Sequence, residues 1–349
     1  MNVAEFDFSL PDTAIAQRPA EPRDASRLLV AGRFAGEPRH LQFRDLPTLL
    51  RAGDLVVLND TRVVPARLLG RRATGGRFEV LVIEPAEAAA GDGVWRCLGG
   101  GSRKPEVGES ITFGEGLTGR MVGREGELFL IRLDAAGAPI PEALERAGRM
   151  PLPPYIRRRP EDGLEPSDRR SYQTVFARHD GSIAAPTAGL HFTPELLNGL
   201  RGAGVEIAQI TLHVGIGTFR PVRVERVEDH HLFPERYVLG EDCARAVAQA
   251  RRRGARVIAV GTTVVRTLET CAADDGTVVP GRGASGLFVV PGFRFRVVDG
   301  LITNFHLPRS TLLMLVAAFA GRERVLALYR EALQRGYRFY SYGDAMFLE

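Results

Sequence analysis

The chain has 349 residues, of which 44% are hydrophobic and 25% charged, and its formal net charge is +4. These are the proportions of an ordinary globular protein, so they exclude a disordered or fibrous chain, and the length leaves room for two domains with separate cores. A pI of about 9.2 permits nucleic-acid binding without demanding it.

The first 60 residues have an α/β texture. Residues 6–8 alternate as a short strand, Leu10, Pro11 and Asp12 turn into a short helix, and residues 28–30 read as a strand. Asp45 is placed to cap a helix beginning at Leu46-Pro47. Residues 54–58 form a buried-type strand ending in Asn59-Asp60-Thr61-Arg62, which is also ordinary turn chemistry. From about residue 66 to 136 short alternating runs recur between glycine-rich turns, the pattern of an antiparallel barrel or sandwich. Residues 141–147 read as a helix, and Pro151-Leu152-Pro153-Pro154 as a stiff connector. The expected organisation is a discontinuous α/β (α+β) domain, residues 1–65 and 150–349, carrying an inserted antiparallel β domain over residues 66–149.

Two glycine-rich, histidine-bearing turns follow. The first runs from Gly181 through Thr187 and Gly189 to His191, and the second from His213 through Gly215, Gly217 and Thr218. Thr193-Pro194-Glu195 starts a helix between them, with Thr193 as cap and Pro194 at the first helical position. Residues 205–214 read as a strand that grows polar towards His213. Further on, a basic helix (241–253) precedes a buried strand (256–260), and Gly261-Thr262-Thr263 leads into a helix over 264–272. Such a junction offers backbone N–H groups to an anion, and serves equally well as a plain strand-to-helix turn. Residues 286–290 and 293–298 look like a hairpin, 301–306 like a strand, and Ser310 like the cap of an apolar helix over 311–320.

Cys97, Cys243 and Cys271 lie far apart, which argues against a zinc ribbon or a disulfide framework and fits a reducing cytosol. The first residues do not read as a signal peptide, and the most apolar run is too short to span a bilayer, which takes roughly 20 residues. Lys104 is the only lysine. Arginine suits phosphate contacts, but we assign the global skew to a GC-rich coding bias.

His191, His213, His230, His231 and His306 stand at strand or loop ends, where an imidazole can serve as acid, base or substrate ligand or simply tie loops together. There is no HExxH, no P-loop and no GxGxxG opening a helix, so a metalloprotease or an ordinary nucleotide fold is not indicated. Arg266 and Glu269, three apart on one helix, suit either a surface ion pair or a cleft wall. Arg157, Arg158, Arg159, Arg169 and Arg170 suit either phosphates or a solvated loop. The residues alone therefore describe an α/β enzyme with a cleft of histidines and arginines, without naming its reaction.

Eight blocks, among them GDLVVLNDTRVVPARLLG, GSIAAPTAGLHFT, TLHVGIGTFRPV, GTTVVRTLE and LITNFHLPRSTLLMLVAAFAG, resemble the S-adenosylmethionine:tRNA ribosyltransferase-isomerase family of queuosine biosynthesis and run from end to end of the chain. One departure is Phe233, which stands where that family tends to have a histidine, while His230, Glu235 and Tyr237 match. The resemblance implies a large α/β domain with an inserted β-barrel. It implies that the ribosyl group of S-adenosylmethionine, consumed as a substrate with no further cofactor, is transferred and isomerised onto 7-aminomethyl-7-deazaguanine at the wobble position of a tRNA. Epoxyqueuosine-tRNA, adenine and methionine would be the products, made by a cytoplasmic monomer with no membrane contact and no metal.

That chemistry needs a base for the acidified C5′ proton and an acid for the departing adenine, for which His191, His213 and His306 are candidates. Asp60, Arg62, Arg266, Glu269 and Asn304 become candidates for orienting the substrate. Thr187, Gly189, Gly215, Gly217, Thr218, Thr262 and Thr263 would line the pocket. Arg157, Arg158, Arg159, Arg169 and Arg170 would meet the tRNA. A non-catalytic RNA-binding protein and a metal-dependent hydrolase are the alternatives from other classes.

Overall fold

The computed structural model describes all residues except 87–92, 102, 159–162, 216 and 218–221. The strands, in chain order, begin with β1 (Arg27–Ala31), β2 (Arg39–Gln42), β3 (Leu55–Asn59) and β4 (Thr61–Val63). The barrel strands follow: β5 (Arg67–Arg72), β6 (Arg77–Pro85), β7 (Val94–Gly100), β8 (Ser110–Gly114), β9 (Leu117–Glu125) and β10 (Leu128–Asp134). The chain then forms β11 (His179–Ser182), β12 (Glu206–Leu212), β13 (Glu235–Leu239), β14 (Val257–Val260), β15 (Gly281–Ser285), β16 (Gly300–Asn304) and β17 (Ala345–Leu348). The α-helices are α1 (Ile140–Ala147), α2 (Glu165–Ser171), α3 (Pro194–Gly202), α4 (Glu241–Arg252), α5 (Thr262–Thr270), α6 (Thr311–Ala320) and α7 (Arg322–Gln334).

Nine strands make the main sheet, in the order β15-β13-β12-β3-β14-β16-β17-β1-β2. The adjacent strands β12, β3, β14 and β16 run parallel, so their carboxyl ends share one edge. Alternate side chains of these strands enter two cores. Leu55, Val57, Val257, Ala259 and Leu301 pack with α4–α7, while Val56, Leu58, Ile258, Val260 and Ile302 pack with α3 and Phe43. Burial on both faces explains why these strands read as unbroken apolar runs.

Strands β5 to β10 close an antiparallel barrel in the order β10-β7-β6-β5-β8-β9. Inward Leu68, Phe78, Val80, Ile111, Met121 and Ile131 fill it. The fold is thus mixed α/β with a closed β-barrel, as expected. The barrel returns to the main sheet through α1 and Gly148. A Cβ at Gly148 would stand 1.7 Å from the Pro65 carbonyl oxygen and 2.5 Å from that of Leu144, so the two crossings between barrel and sheet touch backbone to backbone.

Several caps follow from the sequence. Thr193 accepts from Leu196 N at 3.1 Å, and Ser310 accepts from Leu313 N at 3.2 Å. Three local expectations are corrected. Residues 3–6 form a 3₁₀ turn in place of a strand at 6–8, because Asn2 Oδ1 accepts from Ala4 N and Glu5 Oε1 accepts from Asn2 N, both at 2.8 Å. Asp45 is an interior residue of the 3₁₀ segment Phe43–Thr48 and reaches back to Gln42 N at 2.9 Å, so it does not precede the helix as its cap. Residues 286–298 form no hairpin: Glu269 takes the N–H groups of Arg296, Val297 and Val298 at 2.9–3.1 Å, removing donors that a ladder would need. No helix of the described residues is long and apolar enough to cross a membrane.

Gly148→Ala should destabilise the protein by about 1–3 kcal/mol through forced overpacking. A urea unfolding curve with an unchanged midpoint would show that the junction between barrel and sheet relaxes freely.

Candidate active site

The four parallel strands deliver their last residues to one place. Asn59, at the end of β3, holds that place together. Its carboxamide donates to Leu212 O at 3.0 Å and to Thr263 Oγ1 at 3.2 Å, and accepts from Leu212 N at 3.0 Å and Thr61 N at 3.2 Å. One buried side chain thereby ties together the ends of β3 and β12 and the start of α5. Gly261, at φ +91°, makes the left-handed turn that sends β14 into α5. Thr262 and Thr263 form the first turn of that helix, which starts two residues earlier than expected.

Beside this edge lies a cavity of about 590 Å³, within the range of small-molecule sites. Its wall includes Thr187, Gly217, Thr262, Thr263, Arg266, Asn304 and His306. Residues outside the glycine turns complete it: Pro153, Pro154 and Tyr155 from the proline-rich segment, Tyr172 at the end of α2, and Tyr340 and Ser341 from near the carboxyl end. Tyr155 packs on Tyr340 at 4.5 Å between centroids and shares a 2.8 Å hydrogen bond with Ser341 Oγ. The clustering of tyrosines at 337, 340 and 342 was the available signal, and periodicity does not reveal it.

Arg266 does not pair with Glu269. It makes a buried ion pair with Glu235, and it also donates to Ser285 O at 3.0 Å and to Leu287 O at 3.2 Å. The other oxygen of Glu235 accepts from Gly215 N at 2.9 Å. Glu235 therefore joins β13, α5 and the second glycine turn, while Glu269 holds the backbone of residues 296–298.

The three histidines are not equivalent. His306 lines the cavity; its Nε2 shares a 2.8 Å hydrogen bond with Thr303 Oγ1, and its backbone N–H donates to Tyr329 Oη at 3.0 Å. Burial pulls its pKa down to about 3. His191 sits behind Asn304, stacked on Phe43 with centroids 4.9 Å apart. Asn304 Nδ2 lies 3.1 Å from both Tyr340 O and His191 Nε2, and Ser26 Oγ lies 2.7 Å from His191 Nδ1. Two N–H donations from Asn304 leave Nε2 as acceptor and the ring proton on Nδ1. Burial, with Arg338 and Arg23 nearby, pulls the His191 pKa down to about 3. His213 lies outside the cavity wall, half-buried against Gly181 with Nδ1 2.8 Å from Thr61 Oγ1. Burial first, then Arg236 and His179, lowers its pKa.

The remaining candidates scatter. Asp60 accepts from Thr211 Oγ1 at 2.7 Å, Arg62 pairs with Asp180 and Glu145 at 2.8 and 3.0 Å, and Gly189 packs against Thr174 and Phe176. Arg158 grips Asp168 through two 2.8 Å bonds, and Arg169 pairs with Glu165 at 2.8 Å, so both are held within the protein. Arg157 is exposed and pairs with Asp12 at 2.9 Å. Thr218 and Arg159 fall outside the described residues. Among the described residues no cluster of three His, Cys, Asp or Glu side chains is placed to hold a metal ion.

A family model described as queuosine biosynthesis protein matches residues 3–348. The chain belongs to the queuosine biosynthesis protein family. It is 53% identical, over the full length of both chains, to an S-adenosylmethionine:tRNA ribosyltransferase-isomerase of Pelobacter propionicus. It is 54% identical to the same-named protein of Anaeromyxobacter dehalogenans, over all of this chain and 99% of that one. A crystal structure of S-adenosylmethionine tRNA ribosyltransferase from Thermotoga maritima is similar with a TM-score of 0.55 and 37% identity, covering 99% of this chain and all of that one.

The buried histidines give stability a pH signature. Their folded pKa values lie below the unfolded value of 6.5, so the unfolded chain binds more protons between about pH 6.5 and 3. Stability is full above 6.5 and should fall by about 1 kcal/mol per pH unit for each histidine below it. Urea unfolding at pH 7 and pH 5 should show a smaller loss in His191→Gln than in the parent; equal losses would contradict the burial argument.

Proposed function

We propose that this chain is an S-adenosylmethionine:tRNA ribosyltransferase-isomerase. It moves and isomerises the ribosyl group of S-adenosylmethionine onto 7-aminomethyl-7-deazaguanine at the wobble position of a tRNA, and releases adenine and methionine. The observation that carries this reading is the full-length identity above one half to proteins so named. The cavity at the carboxyl edge of the parallel strands supports it, being where open α/β sheets bind ligands. The relatives give no support to a metal-dependent hydrolase or to a non-catalytic RNA-binding protein. On this reading the barrel, residues 66–149, is an inserted domain, and the enzyme is a cytoplasmic monomer that takes no resident cofactor.

The residues divide by position. His306 is the proton-transfer group: of His191, His213 and His306 it alone lines the cavity, and unlike His230, the other imidazole on that wall, it is buried and held by Thr303. Kept neutral by burial, it is a weak base whose lone pair is not lost to a proton at neutral pH, and the sulfonium has already acidified the C5′ proton it must take. Thr187, Gly217, Thr262, Thr263 and Asn304 present hydroxyls, backbone and a carboxamide to the ribose and adenine. His191 and His213 are positioning residues. His191 fixes Asn304 from behind, and His213 braces the second glycine turn through Thr61. Glu235 and Arg266 neutralise each other and hold the wall.

Incubating the enzyme with S-adenosylmethionine and tRNA bearing the deazaguanine precursor should release free adenine, and omission of the modified tRNA should abolish it. His306→Ala should lower kcat about 10²–10⁴-fold with S-adenosylmethionine binding retained. Near-normal turnover would remove His306 from the chemistry, whereas adenine release without tRNA would contradict the transfer itself.

A further inference from the structure

A second, smaller hollow of about 350 Å³ adjoins the main cavity. Asp12, Ile15, Gln17, Arg18, Tyr155, Arg157, Arg158 and Leu164 line it, and Tyr155 belongs to both walls. Gln17 builds it. Its side-chain nitrogen donates to Tyr155 O at 2.8 Å, and its oxygen accepts from Arg157 N at 2.8 Å, stitching the amino-terminal segment to the proline-rich one.

The charges in the hollow do not balance. Arg157 is paired with Asp12, and Arg158 with Asp168 behind the wall. The exposed guanidinium of Arg18 has no ion pair or hydrogen bond among the described residues, which leaves it the uncompensated cation among the lining residues of the hollow. A surplus arginine in a concave polar site, one tyrosine away from the main cavity, suits a phosphodiester.

We propose that this hollow binds a phosphate of the RNA strand next to the nucleotide being modified, with Arg18 as its principal contact and Tyr155 as the partition between that phosphate and the reacting groups. The proposal rests on the reading of the main cavity as the site of ribosyl transfer. A polymer that inserts one residue there must lay its neighbouring phosphates close by, and the concave, cationic hollow shares Tyr155 with the cavity wall. Because Arg157 and Arg158 are already paired, their removal would disturb the wall itself, whereas Arg18 can be changed without loss of an internal contact by its guanidinium.

The test compares the parent, Arg18→Ala, Arg18→Lys and, as a control on α7, Arg330→Ala, each as the full chain. Binding of modified tRNA is followed by fluorescence anisotropy across a salt series, and S-adenosylmethionine binding by calorimetry. Arg18→Ala should weaken tRNA about tenfold and reduce the slope of log K against log[salt] by about 0.7–0.9, the loss of one phosphate contact. It should raise KM for tRNA with little change in kcat. Arg18→Lys should restore the slope, and Arg330→Ala should match the parent. The proposal is overturned if Arg18→Ala keeps the parent affinity and slope, or if it weakens S-adenosylmethionine in place of tRNA, which would assign the cation to the methionine carboxylate. A parent enzyme that releases no adenine would fail the underlying functional reading, independently of Arg18.

Discussion

The Asn59 carboxamide is the interaction on which the cavity depends. Parallel strands that end together leave carbonyl and N–H groups with no neighbour, and buried groups of this kind must find partners. Asn59 answers three of these needs at once, at Leu212 O, Leu212 N and Thr61 N, and donates besides to the Thr263 hydroxyl. With those contacts fixed, the turn after β12 and the first turn of α5 have defined positions. Only then can Thr262, Thr263 and Arg266 converge with Asn304 at the end of β16 and His306 just beyond it.

A second layer keeps this edge in register. Glu235 and Arg266 form a buried pair whose remaining donors and acceptors are met by Gly215, Ser285 and Leu287. Breaking one member would leave the other charge uncompensated, at a cost of about 3–5 kcal/mol, so the pair acts as a registry device more than as a source of net stability. On the other side His191 is clamped between Ser26, Asn304 and Phe43. His306 thus stands in a frame whose polar groups are already committed to each other, which is how a site is preorganised.

Much of this was legible in the amino-acid order. The apolar runs at 55–58, 257–260 and 301–303 and the polar residues that close them marked strand ends, and the Thr193 and Ser310 caps were readable from chemistry that acts over three residues. The recurrent short strands after residue 66 announced an antiparallel barrel or sandwich, and the structure closes them into a barrel. What was not legible involved partners distant in sequence. Nothing near Arg266 points to Glu235, and nothing near Glu269 points to the backbone of residues 296–298. Tyr340 and Ser341 meet Tyr155 only because β17 lies antiparallel beside β16, which places the segment before β17 at the carboxyl edge. Asn59 looked like ordinary turn chemistry, since its four contacts exist only after the strands have paired. His306, His191 and His213, alike in sequence setting, separate by depth into the wall, the layer behind it and the outside, and His230 also reaches the wall.

The central claim is that S-adenosylmethionine is taken apart in the cavity at the carboxyl edge of β3, β12, β14 and β16. A crystal structure with S-adenosylhomocysteine, which lacks the sulfonium charge and cannot react, tests it most directly. We expect the ribose and adenine between the start of α5 and the Asn304–His306 segment, with the C5′ carbon facing the His306 ring. Density for the nucleoside in the barrel, or against His213 outside the cavity wall, would contradict the account.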